Sequence, residues 1–236
     1  MISKELLLEN CEKIGISLDS AACDKFDLYA RLLIAYNEKV NLTAITAPDD
    51  IVNKHFADSL WLCRFVNISD KMRLCDVGTG AGFPGVPLLI YKPTLALTLF
   101  DSVNKKLDFI RFLLGELDLT AEVVTARAEQ AGREKPFRES FELVTARAVA
   151  RLNLLSEYCL PLVKPGGVFA PLKAPLSADE KKEGERAAAK LGGGEANSQV
   201  YELLGGDRRE IIIFKKNKST PITYPRNSAQ ISKKPL

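Results

Sequence analysis

The sequence has little of the material from which metal centres, histidine-based catalysis and disulfide frameworks are built. Its 236 residues include a single histidine, His55, which leaves almost nothing for a histidine-rich metal site or a Ser-His-Asp triad. The five cysteines are odd in number and form no CxxC pair, a pattern that favours reduced, mostly buried thiols. These shortages argue against histidine-dependent hydrolases and lead us to expect no bound metal.

Long hydrophobic runs are missing as well. No apolar stretch approaches the roughly 18–20 residues that cross a membrane, and the N-terminal MISKELLLENCEK has acids where a signal peptide has its apolar core. With 46% hydrophobic and 27% charged residues, the composition is typical of a globular protein. We therefore expect a cytoplasmic protein with no membrane partner. The sequence does not indicate the oligomeric state.

Charge is unevenly distributed along the chain. Eight basic residues and one acid lie from Arg208 onward, which leaves 25 basic and 29 acidic residues in the first 207. A basic C-terminal tail suggests contact with a polyanion. The alternative is that the tail only increases solubility.

Residues 1–65 have the periodicity of helices. Ser3 can cap a first helix that Gly15 ends, and a second helix begins at about Asp19. The segment 46–49, Thr-Ala-Pro-Asp, predicts a capped third helix or helix pair with proline in its first turn. The sequence thus predicts an N-terminal helical cap.

From about residue 71 the pattern changes to alternating strands and helices. Strands are predicted at 73–77, 95–100, 121–125, 141–145 and 168–172, and helices at 84–91, 103–117 and 150–160. This is the order of parallel βαβ units. A charged helix (177–191), a flexible glycine joint (192–194) and a hairpin of strands 199–204 and 210–214 follow. We expect an α/β core (66–218) with a mainly parallel sheet and an antiparallel edge hairpin, followed by a basic tail (219–236).

The stretch LCDVGTGAGFPG (74–85) is where we expect a cofactor. A short apolar run reaches Asp76 and then breaks into closely spaced glycines, Gly78 and Gly80 among them. Glycines let a strand turn sharply into a helix and let a ligand approach the backbone. Dinucleotide oxidoreductases and methyltransferases share such a loop, so the glycines alone leave the cofactor open.

Acidic residues indicate which of the two cofactors the loop would bind. Asp76 would repel a pyrophosphate but suits the cationic amino group and sulfonium of S-adenosylmethionine. Asp101 closes the 95–100 strand, where a carboxylate can accept hydrogen bonds from ribose hydroxyls. Ala128 and Glu129 follow the next strand, at the place expected for an adenine-edge contact. Each acid could instead be a structural helix cap, but the ordered set favours the methyl donor over NAD.

The chain resembles the 16S ribosomal RNA guanine-7 methyltransferases, the methyltransferase G or glucose-inhibited division protein B family, over nearly its whole length. The resemblance is carried by YNEKVNLT (36–43), KHFADSL (54–60), DVGTGAGFPG (76–85), ARA (146–148), YPR (224–226) and KPL (234–236). It implies a class I methyltransferase (Rossmann-like) fold acting on one guanosine, position 527, in the 530 loop of 16S RNA in the small ribosomal subunit. The family's cofactor positions carry over to Gly78, Phe83, Asp101, Ala128, Glu129 and Arg147. Asn104 departs from an expected glycine.

The reactive side carries no obvious general base. The segment TARA (145–148) lacks the Asn/Asp-Pro-Pro-aromatic motif of amine methyltransferases, and no cysteine follows a proline as in cytosine-5 enzymes. Methylation of guanine N7 needs no base, because that nitrogen has a free lone pair. Arg147 and Lys173 are therefore candidates for positioning only, the alternatives being a structural ion pair and a solvated lysine.

Three further residues are candidates for RNA contact: Asn41 and His55 in the helical cap and Arg226 in the tail. A lone histidine on a helix is, alternatively, a hydrogen-bonded structural residue. Two other functions remain open at this point. One is an RNA- or ribosome-binding module with a vestigial cofactor loop, and the other is an NAD-dependent oxidoreductase.

Overall fold

The computed structural model describes residues 1–147 and 149–236. The chain forms two compact units. The first comprises Met1–Met72, Thr79–Thr125 and Glu202–Asp207, and the second Arg73–Gly78, Ala126–Tyr201 and Arg208–Leu236. The predicted domain boundaries after residues 65 and 218 stay a prediction.

The helices and strands follow the predicted alternation. The strands are β1 (Arg73–Val77), β2 (Ala96–Asp101), β3 (Glu122–Thr125), β4 (Phe141–Ala146), β5 (Val163–Phe169), β6 (Leu172–Lys173), β7 (Gly193–Glu202) and β8 (Arg208–Lys216). The longer helices are α1 (Lys4–Ile14), α2 (Ser20–Asn37), α6 (Gly85–Tyr91), α7 (Asn104–Glu116), α9 (Leu152–Cys159) and α10 (Ala178–Lys190). Short helices are α3 (Pro48–Ile51), α4 (Asp58–Leu60), α5 (Leu62–Phe65), α8 (Ala128–Ala131) and α11 (Ser228–Lys233).

In the first unit, the first helix begins and ends as predicted, and the second begins as predicted. The Ser3 side chain accepts a hydrogen bond from the Leu6 N–H at the start of α1, and Gly15 ends that helix in the left-handed conformation, with φ 84°. Asp19 caps α2 through the N–H of Ala22. These side chains satisfy backbone donors that the first helical turn leaves without partners.

The third helical region is less regular than predicted. Between α3 and α4 the chain forms a π-helical stretch, Val52–Ala57. Pro48 occupies the first turn of α3 as expected, but Ala47 is the N-cap and offers no side-chain hydrogen bond, so the predicted capping was wrong. Stretches of π-helix shift the side chains that follow them and occur frequently at functional sites.

Sheet pairing can be followed within each unit. In the first unit β2 and β3 are parallel. In the second, β1, β4 and β5 are parallel, and β5, β6 and β7 pair with β8. β5 and β6 are antiparallel to β8 in one continuous register, from Val168–Lys215 to Lys173–Glu210, so they share one side of β8 and β7 takes the other. The mainly parallel sheet with an antiparallel edge hairpin is confirmed.

Glycine misled the prediction in two places of the second unit. The segment 192–194 was expected to be a flexible joint, yet β7 begins at Gly193. A Cβ at Gly193 would lie 3.1 Å from the Ala188 Cβ, so this glycine permits close packing on α10. Likewise β5 begins five residues earlier than predicted and runs through Gly166 and Gly167.

The described residues include no helix with both the length and the apolar character needed to cross a membrane. All five cysteines are free thiols, and four of them are buried, as predicted. Burial raises the pKa of Cys11 and of Cys63 to about 12, so both thiols stay protonated at neutral pH.

Candidate active site

The glycine-rich segment adopts conformations that require glycine. Gly78, Gly80 and Gly82 have φ values of 68°, 59° and 104°, a region that side-chain-bearing residues rarely enter. Neighbouring atoms also exclude a side chain at two of these glycines. A Cβ at Gly78 would lie 2.7 Å from Val149 Cγ2, and one at Gly82 would lie 2.6 Å from the Tyr29 hydroxyl.

Within the first unit, Asp101 contacts the glycine-rich segment at Gly80. Asp101 is the last residue of β2 and is 8% exposed. Its Oδ2 accepts a hydrogen bond from the Gly80 N–H at 3.0 Å, and its Oδ1 accepts one from the Val103 N–H at 2.9 Å. A carboxylate has about four acceptor positions, so both oxygens can accept a further hydroxyl.

Asn104, the departure from the family pattern, begins α7. Its Oδ1 accepts a hydrogen bond of 2.7 Å from the Thr125 hydroxyl at the end of β3. The substitution therefore links the start of α7 to the neighbouring strand.

Phe83 is packed among residues of the helical cap. Its ring stacks on Tyr29, with centroids 5.2 Å apart and planes inclined by 9°, and on His55, at 4.3 Å and 19°. The Tyr29 hydroxyl also donates to the carbonyl of Ala81 at 2.5 Å. The loop is thus held by α2 and by the π-helical stretch.

A chain of contacts joins the first three sequence motifs. His55 Nε2 lies 2.9 Å from the Thr43 hydroxyl, and the Asn37 side-chain oxygen accepts hydrogen bonds from the N–H groups of Leu42 and Thr43. His55 is 7% exposed, which favours its structural alternative. Asn41 is exposed on the same loop. An RNA contact by either residue stays a prediction.

Within the second unit, two of the predicted cofactor carboxylates are buried. Asp76 is fully buried on β1, in parallel register with Thr145 of β4. Glu129 is 7% exposed in the first turn of α8, directly after Ala128. Burial, and then the charge of Glu129, raises the pKa of the Tyr158 hydroxyl.

Arg147 and Lys173 lie on neighbouring strand ends of the second unit. Arg147 follows β4 and forms an isolated parallel bridge with Leu172. The Lys173 ammonium donates to the Ala150 carbonyl at 2.7 Å and to Glu180 Oε1 at 2.8 Å. It is therefore not the solvated lysine of the alternative. Ala148, part of the ARA motif, lies outside the described residues.

Glu180 completes this contact. Its Oε1 also accepts the Leu152 N–H at 2.9 Å. Burial acts against the ionised carboxylate, but hydrogen bonds from Lys173 and Leu152 leave the pKa of Glu180 below its ordinary value. Together, Lys173 and Glu180 hold the segment 150–152 that follows the Arg147 region.

Two basic side chains near the C-terminus, Lys216 of β8 and Arg226 of the tail, make contacts within the protein. Lys216 is fully buried and donates to the carbonyls of Leu160 and Val163, and burial lowers its pKa to about 8. Arg226 forms a two-point ion pair with Glu157, which is fully buried on α9. An RNA contact by Arg226 stays a prediction. Sequence reasoning missed Glu157, although a lone acid in the apolar helix LNLLSEYC is a signal of a buried partner.

Within residues 1–147 and 149–236, no group of three or more histidine, cysteine or acidic side chains is arranged to hold a metal ion.

Comparisons with known proteins identify the family. A sequence model of rRNA small subunit methyltransferase G matches residues 22–212. The chain is 45% identical to Ribosomal RNA small subunit methyltransferase G of Bacillus velezensis over 235 residues, 99% of this chain and 98% of the relative. The corresponding protein of Geobacillus thermodenitrificans is 45% identical over 227 residues, 95% of each chain. In fold, a crystal structure of a methyltransferase from Pyrococcus furiosus matches with a TM-score of 0.57 and 16% identity, over 82% of this chain and 97% of that one. The chain belongs to the rRNA small subunit methyltransferase G family.

Proposed function

We propose that this protein transfers a methyl group from S-adenosylmethionine to N7 of a guanosine, position 527, in the 530 loop of 16S ribosomal RNA. Membership of the family supports the reaction class and the RNA. The observation that carries the cofactor assignment is the hydrogen bond from the Gly80 N–H to Asp101, which fixes a carboxylate at the glycine loop. The substrate RNA is cytoplasmic, and so is the proposed action.

The chemistry of the donor set fits this cofactor. Asp76, Asp101 and Glu129 are all buried carboxylates, and carboxylates accept hydrogen bonds from ribose hydroxyls and an adenine amino group and attract a cation. A dinucleotide instead needs donors for its pyrophosphate. We assign Gly80, Phe83 and Asp101 of the first unit to cofactor binding.

From the second unit we assign Asp76, Gly78, Ala128, Glu129 and Arg147 to the same role. Ala128 and Glu129 fit the adenine edge, and Asp76 fits the amino group of the methionine part.

In this reaction the main contribution of the protein is to position the two reactants, because no proton has to be removed. S-adenosylmethionine supplies an electrophilic methyl group, and guanine N7 has a lone pair and no proton to lose. Holding two reactants in line can lower a barrier by roughly 7–11 kcal/mol. Arg147 is suited to fix an RNA phosphate or the guanine carbonyl oxygen, while Lys173 positions the segment after it through the Ala150 carbonyl.

The target base must leave its stack before it can react. Unstacking is easier in an RNA loop than in a duplex, which agrees with a loop nucleotide as substrate.

Two measurements test the proposal. Titration calorimetry should detect binding of S-adenosylmethionine and none of NAD; binding of NAD alone would indicate an oxidoreductase. Mass spectrometry of 16S RNA from cells with and without the gene should show loss of one 7-methylguanosine in the 530 loop. Unchanged modification would leave an RNA-binding module with a vestigial loop.

A further inference from the structure

The last 18 residues, 219–236, pack within the second unit. We call them the C-terminal strap. Within it, reciprocal hydrogen bonds between Asn227 and Gln230 cap the N-terminus of α11. Ile231 of the same helix is fully buried. The strap packs against α9, so a segment whose charge suggested a solvated tail is ordered structure.

Arg226 fastens the middle of the strap to α9. Its Nε and backbone N–H donate to Glu157 Oε1 at 2.9 and 2.8 Å, and Nη2 donates to Oε2 at 2.6 Å. Its Nη1 donates to the Lys234 carbonyl at 2.9 Å, which ties the end of the strap to its middle. Two-point pairs between arginine and a carboxylate are short, strong and directional. Glu157 is fully buried, so the strap supplies a charge that this acid requires.

Arg138 fastens the strap to α8, the helix that carries Ala128 and Glu129. Its Nη1 donates to the carbonyl of Gly132, which ends α8, at 2.9 Å and to that of Tyr224 at 2.8 Å. Its Nη2 donates to the Thr220 carbonyl at 2.8 Å. One guanidinium therefore bridges the end of α8 and two points of the strap.

Packing reinforces this bridge. A Cβ added at Gly132 would lie 3.1 Å from Pro225 Cγ, so the strap touches the end of α8 directly. The strap is thus connected to α8, the helix of Glu129, both by hydrogen bonds and by direct packing.

We propose that the C-terminal strap is a positioning element for the adenine side of the cofactor site, acting on Ala128 and Glu129 through Arg138 and Arg226. This inference rests on the proposed function. The strap's role is to hold α8 in the orientation in which Glu129 accepts a hydrogen bond from the adenine. A buried carboxylate misplaced by a fraction of an ångström loses that contact.

The test compares S-adenosylmethionine affinity among strap variants by titration calorimetry. Arg226→Lys keeps the charge but loses the two-point geometry, and should raise the Kd about tenfold. Arg138→Lys likewise keeps the charge but loses the guanidinium that bridges Gly132 to the strap, and should raise the Kd about 2–10-fold.

The control is Lys233→Ala, which removes an exposed positive charge from the strap. It should leave the Kd for S-adenosylmethionine as in the wild type. If Arg226→Lys does not fold, Arg138→Lys decides.

An unchanged Kd in Arg138→Lys and Arg226→Lys overturns the proposal. So does the pattern expected of an RNA-contacting tail, in which Lys233→Ala and Arg226→Lys both weaken binding of a 530-loop RNA without changing the cofactor Kd. A wild-type protein that does not bind S-adenosylmethionine at all would instead refute the proposed function.

Discussion

Gly82→Ala should destabilise the first unit strongly. The φ value of 104° at Gly82 lies where an alanine is strained, at about 1–3 kcal/mol. The new Cβ would also lie 2.6 Å from the Tyr29 hydroxyl and 2.9 Å from Val86 Cγ2, and overpacking of this kind costs about 1–3 kcal/mol. We expect the free energy of unfolding to fall by about 2–6 kcal/mol, measured by urea denaturation.

A second glycine provides the matched control. Gly115 lies exposed in α7 of the same unit, and a Cβ there meets no atom within 4 Å. Because alanine is the better helix former, Gly115→Ala should stabilise the protein by about 0.5–1 kcal/mol.

A double-mutant cycle then separates the clash from the backbone strain. Tyr29→Phe alone removes the hydrogen bond to the Ala81 carbonyl and should cost about 1 kcal/mol. In the Gly82→Ala background the same change removes the clashing oxygen, so it should increase stability. If Tyr29→Phe has the same sign in both backgrounds, the close approach of Tyr29 is not what excludes a side chain at Gly82.

Three further outcomes can be measured. Burial lowers the pKa of Lys216 from its ordinary value of 10.5 to about 8 in the folded protein. Between these two pH values, the unfolded chain binds one more proton than the folded protein. Stability should therefore rise with pH, by up to about 3 kcal/mol, in the wild type but not in Lys216→Met, as read from denaturation at each pH. Gly184→Ala places a Cβ 2.4 Å from the Leu152 side chain, so it should lower the melting temperature despite the higher helix propensity of alanine. Arg147→Ala should slow methylation of 16S RNA about 10–100-fold with a melting temperature close to wild type; an unchanged rate would remove Arg147 from the site.

Helix and strand ends that depend on side-chain caps or on glycines with positive φ were predicted from short stretches of sequence. β1 has its predicted bounds, Arg73–Val77, because an apolar run and the glycines after it mark both ends. The Ser3, Gly15 and Asp19 boundaries follow from capping chemistry in the same way. Each of these signals lies within a few residues of its effect.

What could not be predicted depends on partners distant in sequence. Glu157 and Arg226 are 69 residues apart. A count of charges suggested that Arg226 contacts a polyanion, because such a count does not show that Arg226 pairs with an acid within the protein. The π-helical stretch was missed because its apolar spacing resembles that of an α-helix. The stacking of His55 on Phe83 depends on that stretch and on the close packing at the glycine loop.

The interleaving of the two units has a consequence for synthesis of the protein. The first unit needs residues 202–207 and the second needs residues beyond 208, so neither unit is complete until most of the chain has been made. At about 5–20 residues per second, a ribosome takes roughly 10–50 s to make a chain of this length. For most of that time each unit lacks a segment that the finished structure includes, the whole of β8 in the second unit among them.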